Sequence, residues 1–427
     1  MTRLWPIAAV CGLCSLASAQ VQFFIIPSPP SPYSGFSVRG ISRNGLYVVG
    51  STIHPAGHDR PATWSADHGY RVLLIQPGMK SAYATRVSDD GGVVFGTMKS
   101  ADPDIFKDYT GLSVSGGAMT NTFSGTYVEA LSWNGDLVGV YDAVGAGNYI
   151  YAYIWDRATG RWMFVPRPDP ASDYQNTKWR WLFGSTRDGT RMVGAYHNAN
   201  TDSSMPVYWD ITANEAELKA SVHFLPRLPS LQSLWAKHIS DNGRIVAGTA
   251  FKSAHVDETA VRIDIETSTV EPLGTLPGYT ASRVEGMSGN GWVIVGRSYS
   301  HNPHRWTQFY WSRATGMISL DDLLAPIGVQ LSDWYIGNPL SVSEDGRLIA
   351  GSGTSPHEQF SSGWLVTVPP SFACPADIND SGTLDDDDVA HFIAAYVEGS
   401  FHADFDKSGF VDTDDFDAFV TAFQEGC

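Results

Sequence analysis

The chain has 427 residues, 43% hydrophobic and only 17% charged, which is enough apolar material for a large core and excludes wholesale disorder. Its 28 Lys and Arg against 45 Asp and Glu leave a net charge of −17, the wrong sign for a general nucleic-acid binder, which needs a basic face for phosphates. Residues 374–427 hold 14 acidic side chains and one Lys, a net of −13, so everything before them carries only −4. The acidity marks a C-terminal module. The 42 Gly, 14 Trp and 18 Tyr favour a turn-rich, all-β body.

Residues 1–19 read as a signal peptide: Arg3 supplies the positive charge, Leu4 to Leu16 the apolar stretch, and Ala17-Ser18-Ala19 the small-residue cleavage site. A buried strand or short anchor is the alternative. No second apolar run approaches the ~20 residues that span a membrane. Cys11 and Cys14 would leave with the signal. That leaves Cys374 and Cys427, an even count in an exported chain, expected to form one disulfide. The expected location is extracellular or at the cell surface.

From residue 42 onward a pattern of Ser/Thr, any residue, Asn/Asp and Gly, then an apolar run ending in Gly, recurs seven times. It begins at Ser42, Ser88, Ser132, Thr186, Ser240, Ser288 and Ser343, with turn glycines at 45, 91, 135, 189, 243, 291 and 346. Asn-Gly and Asp-Gly tolerate positive φ at both central positions of a type I′ hairpin turn, so that turn is expected here. The run that follows, such as Tyr47-Val48-Val49, suits a strand buried on both faces. Next comes an alternating strand ending in Trp, as in Pro206-Val207-Tyr208-Trp209, then a second turn and a fourth strand such as Arg161-Trp162-Met163-Phe164-Val165.

Four strands in each of seven units predict a seven-bladed β-propeller over residues 20–368, in preference to a β-helix or a tandem of sandwiches. The seventh unit stops at its third strand, Gly363-Trp364-Leu365-Val366, before Pro369-Pro370 in a linker over 369–373. Val21-Gln22-Phe23-Phe24-Ile25-Ile26 has no hairpin partner of its own. It is expected to supply the missing strand and close the ring, hiding an edge that would otherwise invite aggregation. The second unit lacks its Trp strand, and the third is one residue short before Gly139.

These units, above all Leu273-Gly274-Thr275-Leu276-Pro277-Gly278 through Gly296, resemble the HAF repeats of secreted bacterial proteins. That resemblance implies an extracellular propeller and little about activity.

Residues 377–388 read DINDSGTLDDDD and residues 404–415 read DFDKSGFVDTDD. Calcium loops place oxygen ligands at positions 1, 3, 5, 7, 9 and 12, with Gly at 6 for the sharp turn. Loop one offers Asp377, Asn379, Ser381, the Thr383 carbonyl, Asp385 and Asp388; loop two offers Asp404, Asp406, Ser408, the Phe410 carbonyl, Asp412 and Asp415. Two Ca2+ ions are expected, the alternative being an acidic disordered tail. Each loop feeds a helix-like segment, and the apolar spacing of Val389, Phe392 and Tyr396 matches that of Phe416, Phe419 and Phe423. Crowded carboxylates and a small core should couple calcium binding to folding. A bridge from Cys374 to Cys427 would clasp both ends, worth ~4 kcal/mol in the chain-entropy model.

A duplicated loop with one following helix and Asp at position 12 resembles a dockerin, and the flanking Cys374 and Gly426-Cys427 resemble its GC-type variant. The chain departs from the pattern at position 5, where Ser381 and Ser408 replace a carboxylate. It departs again at positions 10 and 11, where Asp386-Asp387 and Thr413-Asp414 replace the usual small hydroxyl pair. The resemblance implies docking to a cohesin-like or other envelope protein.

No catalytic constellation is assigned. The segment 54–61, with His54, His58 and Asp59, is expected to be a loop without a metal, and His301 and His304 to lie in another. Trp133, Trp179, Trp181, Trp235, Trp306 and Trp334 fall outside the strand register and are candidates to line a propeller face. The sequence therefore favours a binding or scaffold propeller, with a glycan or protein ligand and a calcium-loaded anchor. The alternative is a polysaccharide hydrolase or lyase delivered by the same tail.

Overall fold

The protein is described from a computed structural model covering residues 20–102, 108–124, 126–144, 149–166, 177–198, 203–252, 257–301, 304–331, 334–336, 341–355, 360–369, 372, 374, 376–379, 384–400, 403, 405 and 411–425. Among the described residues twenty-nine strands make seven antiparallel blades. Blade 1 is Ser34–Ile41, Val48–His54, His58–Ser65 and Gly69–Val72; blade 2 is Met79–Val87, Val93–Ser100, Asp108–Val114 and Thr120–Ser124. Blade 3 is Thr126–Leu131, Leu137–Val144, Tyr149–Asp156 and Arg161–Phe164; blade 4 is Thr177–Ser185, Arg191–Asn198, Ser203–Ala213 and Leu218–Phe224. Blade 5 is Ser233–Ile239, Ile245–Phe251, Thr259–Asp264 and Thr269–Gly274; blade 6 is Ala281–Met287, Ile294–His301, His304–Ser312 and Gly316–Ser319. Blade 7 has Tyr335–Ile336 and Ser341–Val342 innermost, then Leu348–Thr354 and Ser362–Thr367.

The fourth strand of blade 7 is Gln22–Ile25, antiparallel to the third with Gln22 opposite Thr367 and Phe23 opposite Val366. The two ends of the ring are thus joined by backbone pairing, as the unpaired apolar N-terminal strand predicts. Blade 2 forms its third and fourth strands without the Trp, and Met98 and Met119 fill the space, both fully buried.

The repeated motif is a hairpin device, and it corrects the turn type. Among the described residues the motif glycines have positive φ (Gly45 at 75°, Gly243 at 75°), but their Asn and Asp neighbours do not. The turn is therefore not type I′. In every unit the Ser or Thr hydroxyl takes over: it donates to the Asx side chain two residues on, and accepts the amide five residues on. The Asx oxygen accepts a further amide, as Asn242 does from Arg244 at 3.0 Å. A small polar pair thus satisfies the turn's backbone, which leaves only one residue in the left-handed region, and glycine fills it.

The glycine that ends the apolar run faces a β-bulge in the inner strand, seen in blades 1 to 6. A Cβ on Gly50, Gly96, Gly194, Gly248 or Gly296 would run into the carbonyl of Ser37, Tyr83, Trp181, Trp235 or Arg283. Blade 3 differs. There Val140 stands opposite Val128 where the other blades have glycine, and Gly139 pairs with Ala130. The run to Gly139 is one residue shorter than in the other units, and its glycine accordingly occupies a different register. The cores lie between blades, as where Ile26, Phe36 and Val38 meet Ala350 and Leu365 across the closure.

Three helices complete the described structure. The sequence gives no clear sign of α1, Leu320–Leu324, capped by Ser319. The C-terminal pair is α2, Asp386–Val397, and α3, Thr413–Glu425. Phe392 and Phe419 stack face to face with centroids 4.0 Å apart, in a core that includes Cys374 and Ala403. No helix among the described residues is long and apolar enough to cross a membrane.

Candidate functional site

The motif hairpins bring their variable second residues together at one end of the propeller axis. Asp89 donates its amide to Trp133 O, Trp133 to Arg187 O, Asp241 to Gly289 O, and Glu344 to Arg43 O, at 2.6–2.9 Å. Side chains then cross the ring. Arg43 pairs with Asp241, while Arg187 reaches Glu344 at 2.6 Å and Asp89 at 3.6 Å. Burial pushes the carboxyls of Asp241 and Glu344 above their ordinary range, against the opposing pull of Arg43 and Arg187. This network forms one end of the central cavity.

The bulges supply the rest of its wall. An extra residue on the inner strand cannot join the ladder, so Arg39, Thr85, Glu129, Phe183, Lys237 and Glu285 turn inward and line a cavity of about 570 Å³. Each lies three residues before its motif Ser or Thr, a position the sequence reading passed over. The periodic spacing was sufficient to find it; what hid it was its chemistry, which changes from blade to blade while the motif does not.

Charges and aromatic rings share this cavity. The Arg39 guanidinium stacks 4.1 Å over the Tyr83 ring, and its Nε has no hydrogen-bond partner. Arg86 pairs with Glu129 at 3.0 Å, Arg297 with Glu285, and Arg283 grips the buried Glu258 with two 2.7 Å bonds. Burial holds the Lys237 ammonium below the usual lysine range, with Arg283 adding to the effect. Burial likewise pushes His238 down to about 3, so that ring is neutral. Trp235 packs against Trp181 and Phe183 at centroid distances of 5.7 and 6.3 Å.

The out-of-register tryptophans divide. Trp133 and Trp235 line the cavity, Trp181 backs it, and Trp334 meets Phe23 edge-on at 6.2 Å in the blade 7 core. Trp306 lies under the Arg297 guanidinium at 5.3 Å, and the Trp179 side chain lies outside the described residues. The in-register Trp64, Trp209 and Trp311 are buried core. The expectation of a loop over 54–61 is wrong: His54 and His58 face each other across a tight hairpin whose strands run straight into it. Strong β-branched flanks there outweigh the Pro, Gly and His content. His301 and His304 pair across a hairpin in the same way.

Of the C-terminal loop positions, Ser381, Thr383, Asp404, Asp406, Ser408 and Phe410 lie outside the described residues, as do Cys427 and residues 1–19. Asn379 and Asp385 meet Asp388 at the start of α2, and Asp412 meets Asp415 at the start of α3. Asp388 is fully buried, accepting the Asp385 amide at 3.0 Å and the Asn379 amide at 3.3 Å; Asp415, also fully buried, accepts the Asp412 amide at 2.9 Å. Asp377 is 2% exposed. Trp292, on the blade 6 motif hairpin, packs against both the blade 6–7 core and the core of the helix pair. Among the described residues no group of three or more His, Cys, Asp or Glu gathers as a metal site.

No family model matches the chain, and no curated protein does. Its fold is shared with solved propellers. Oligogalacturonate lyase from Vibrio parahaemolyticus superposes with a TM-score of 0.50 at 11% identity, over 83% of this chain and 98% of that one. The likeness is one of fold. TolB from Acinetobacter baumannii gives 0.42 at 14% identity over 64% of this chain, which spans 63% of TolB's length. The propeller domain of the trilobed protease from Pyrococcus furiosus gives 0.44 at 9% identity, over 66% and 80%.

Proposed function

We propose that the chain is a secreted or cell-surface binding propeller, held in place by a dockerin-like C-terminal module that folds around two calcium ions and docks to a cohesin-like or other envelope protein. The supporting observation is electrostatic. Asp377, Asp388 and Asp415 are almost wholly buried, yet Lys407 is the only Lys or Arg in residues 374–427. Buried carboxylates need counter-charge, and amide hydrogen bonds supply only part of it. A divalent cation in each loop, held by Asp377, Asn379, Asp385 and Asp388 in one and by Asp412 and Asp415 with their loop partners in the other, provides the remainder. The burial of Cys374 in the helix-pair core accords with a bridge to Cys427. The secreted location rests on the signal-like residues 1–19 and the HAF-like repeats.

The test is capture from envelope and secreted fractions with the full chain as bait, in calcium and in chelator. The reading predicts a discrete partner held only in calcium and lost in the Asp388→Ala, Asp415→Ala double variant. An unchanged capture profile across the three conditions would contradict it.

A further inference from the structure

In a repeat protein, positions that serve only the architecture repeat. The hairpin Ser/Thr, the Asx and the turn Gly are kept in all seven units, and the glycine facing the bulge in five. The bulge position three residues earlier is not kept: Arg39, Thr85, Glu129, Phe183, Lys237 and Glu285 share a backbone role and nothing else. The fold needs a bulge there but not those side chains. Their only common property is that they face the cavity.

Two independent features of that cavity point to one ligand chemistry. First, six of its lining residues are Lys or Arg and four are Asp or Glu, an excess of two positive charges in a chain of net charge −17. The excess resides in identifiable groups. Arg39 stacks on Tyr83 with no carboxylate partner among the described residues, and its Nε is unsatisfied. Among the described residues Lys237 Nζ reaches only the Val284 carbonyl, at 3.4 Å. A desolvated cation in this state gains more from an arriving anion than an exposed one does. Second, the wall beside Lys237 is aromatic. Trp181 and Phe183 lie near-parallel, 14° between planes with centroids 6.3 Å apart, and Trp235 closes the corner at 48° to Phe183. Phe183 and Trp235 line the cavity and Trp181 stacks on Phe183 outside the lining, and pocket sites pair such apolar walls with a few polar anchors.

From this placement we propose that the central cavity binds an acidic oligosaccharide of uronate-type sugars, with its carboxylates met by Arg39 and Lys237 and a sugar ring against Phe183 and Trp235. The proposal rests on reading the propeller as a binding module and names its ligand class. The charged network of Arg43, Asp241, Arg187 and Glu344 forms the floor of the cavity, and Arg283 and Arg297 are each neutralised by a carboxylate, which leaves Arg39 and Lys237 as the cations that face a ligand.

The test is a tryptophan-fluorescence titration of the full chain with three probes: a uronic-acid trisaccharide, the same trisaccharide with its carboxyls reduced to alcohols, and an acidic hexapeptide. The expected result is saturable quenching by the uronate, at least about tenfold weaker binding of the reduced sugar, and weaker binding still of the peptide. Arg39→Gln and Lys237→Met should each weaken the uronate about fivefold or more with thermal midpoints unchanged, and Trp235→Leu should weaken both sugars. Equal affinity for the neutral sugar, preference for the peptide, or no effect of either cation variant overturns the proposal. Binding that vanishes in chelator overturns it too, because it would then belong to the metal site. Failure here with calcium-dependent capture intact removes the ligand and leaves the anchoring function standing; the reverse outcome does the opposite.

Discussion

The hydroxyl of Ser240 accepts the amide of Ile245 at 2.8 Å and donates to Asn242 at 2.7 Å, closing a hairpin with a side chain where a ladder would use a carbonyl. Ser240 is fully buried, so Ser240→Ala leaves the Ile245 amide without an acceptor. The expected loss is ~1–3 kcal/mol, measured by denaturant unfolding. Ser240→Thr should be close to neutral, because Thr186 plays the same part in blade 4. Equal stability of the Ala and Thr variants would show the hydroxyl to be dispensable.

Ring closure makes the N-terminal strand a structural part of blade 7. Ile26 is 3% exposed, donates its amide to Gly363 O at 2.8 Å and packs with Phe36, Val38 and Leu365. Ile26→Ala should cost ~2–5 kcal/mol, and deleting residues 20–26 should expose the Ser362–Thr367 edge and promote association. Calorimetry and light scattering read the two effects. A truncated chain that stays monomeric with an unaltered melting temperature contradicts closure by this strand.

Gly50 and Gly57 separate two meanings of glycine. At Gly50 an added methyl strikes the Ser37 carbonyl, whereas at Gly57, with φ of 76°, nothing lies within 4 Å. Gly57→Ala should therefore cost only ~1 kcal/mol of backbone strain, and Gly50→Ala more than ~2 kcal/mol because backbone must move. Chemical denaturation of the two variants ranks them.

His238 makes the propeller sensitive to mild acid. Its folded value of about 3 lies below the ordinary 6.5, through burial first and the neighbouring Lys237 and Arg86 second. Below pH 6.5 the unfolded chain binds a proton that the fold refuses, so stability is full above that pH and falls as pH drops towards 3. Melting temperature recorded from pH 7 to 4 should decline less steeply for His238→Gln than for the parent. Parallel slopes would rule out this histidine as a source of the acid sensitivity.

Much of the ring was legible because its signals are local. Ser, Asx and Gly in one register set each hairpin, and an unpartnered apolar strand at one end matched a missing strand at the other. What escaped was decided across strands. The turn type depended on the Ser42 hydroxyl replacing a carbonyl, and the register of Gly139 on its pairing with Ala130. The cavity residues were hidden because a bulge is a property of two strands, and a side chain such as Lys237 looks like any other strand residue until its neighbour's glycine is seen to face it.

The most direct test of calcium-dependent anchoring is hydrogen exchange of the full chain in calcium and in chelator. The account predicts that amides of 386–397 and 413–425 lose protection by at least about a hundredfold when calcium is removed, while the blade strands keep theirs. Equal protection of both helices in the two buffers would mean that the C-terminal pair folds without metal, and calcium would lose its place in the function.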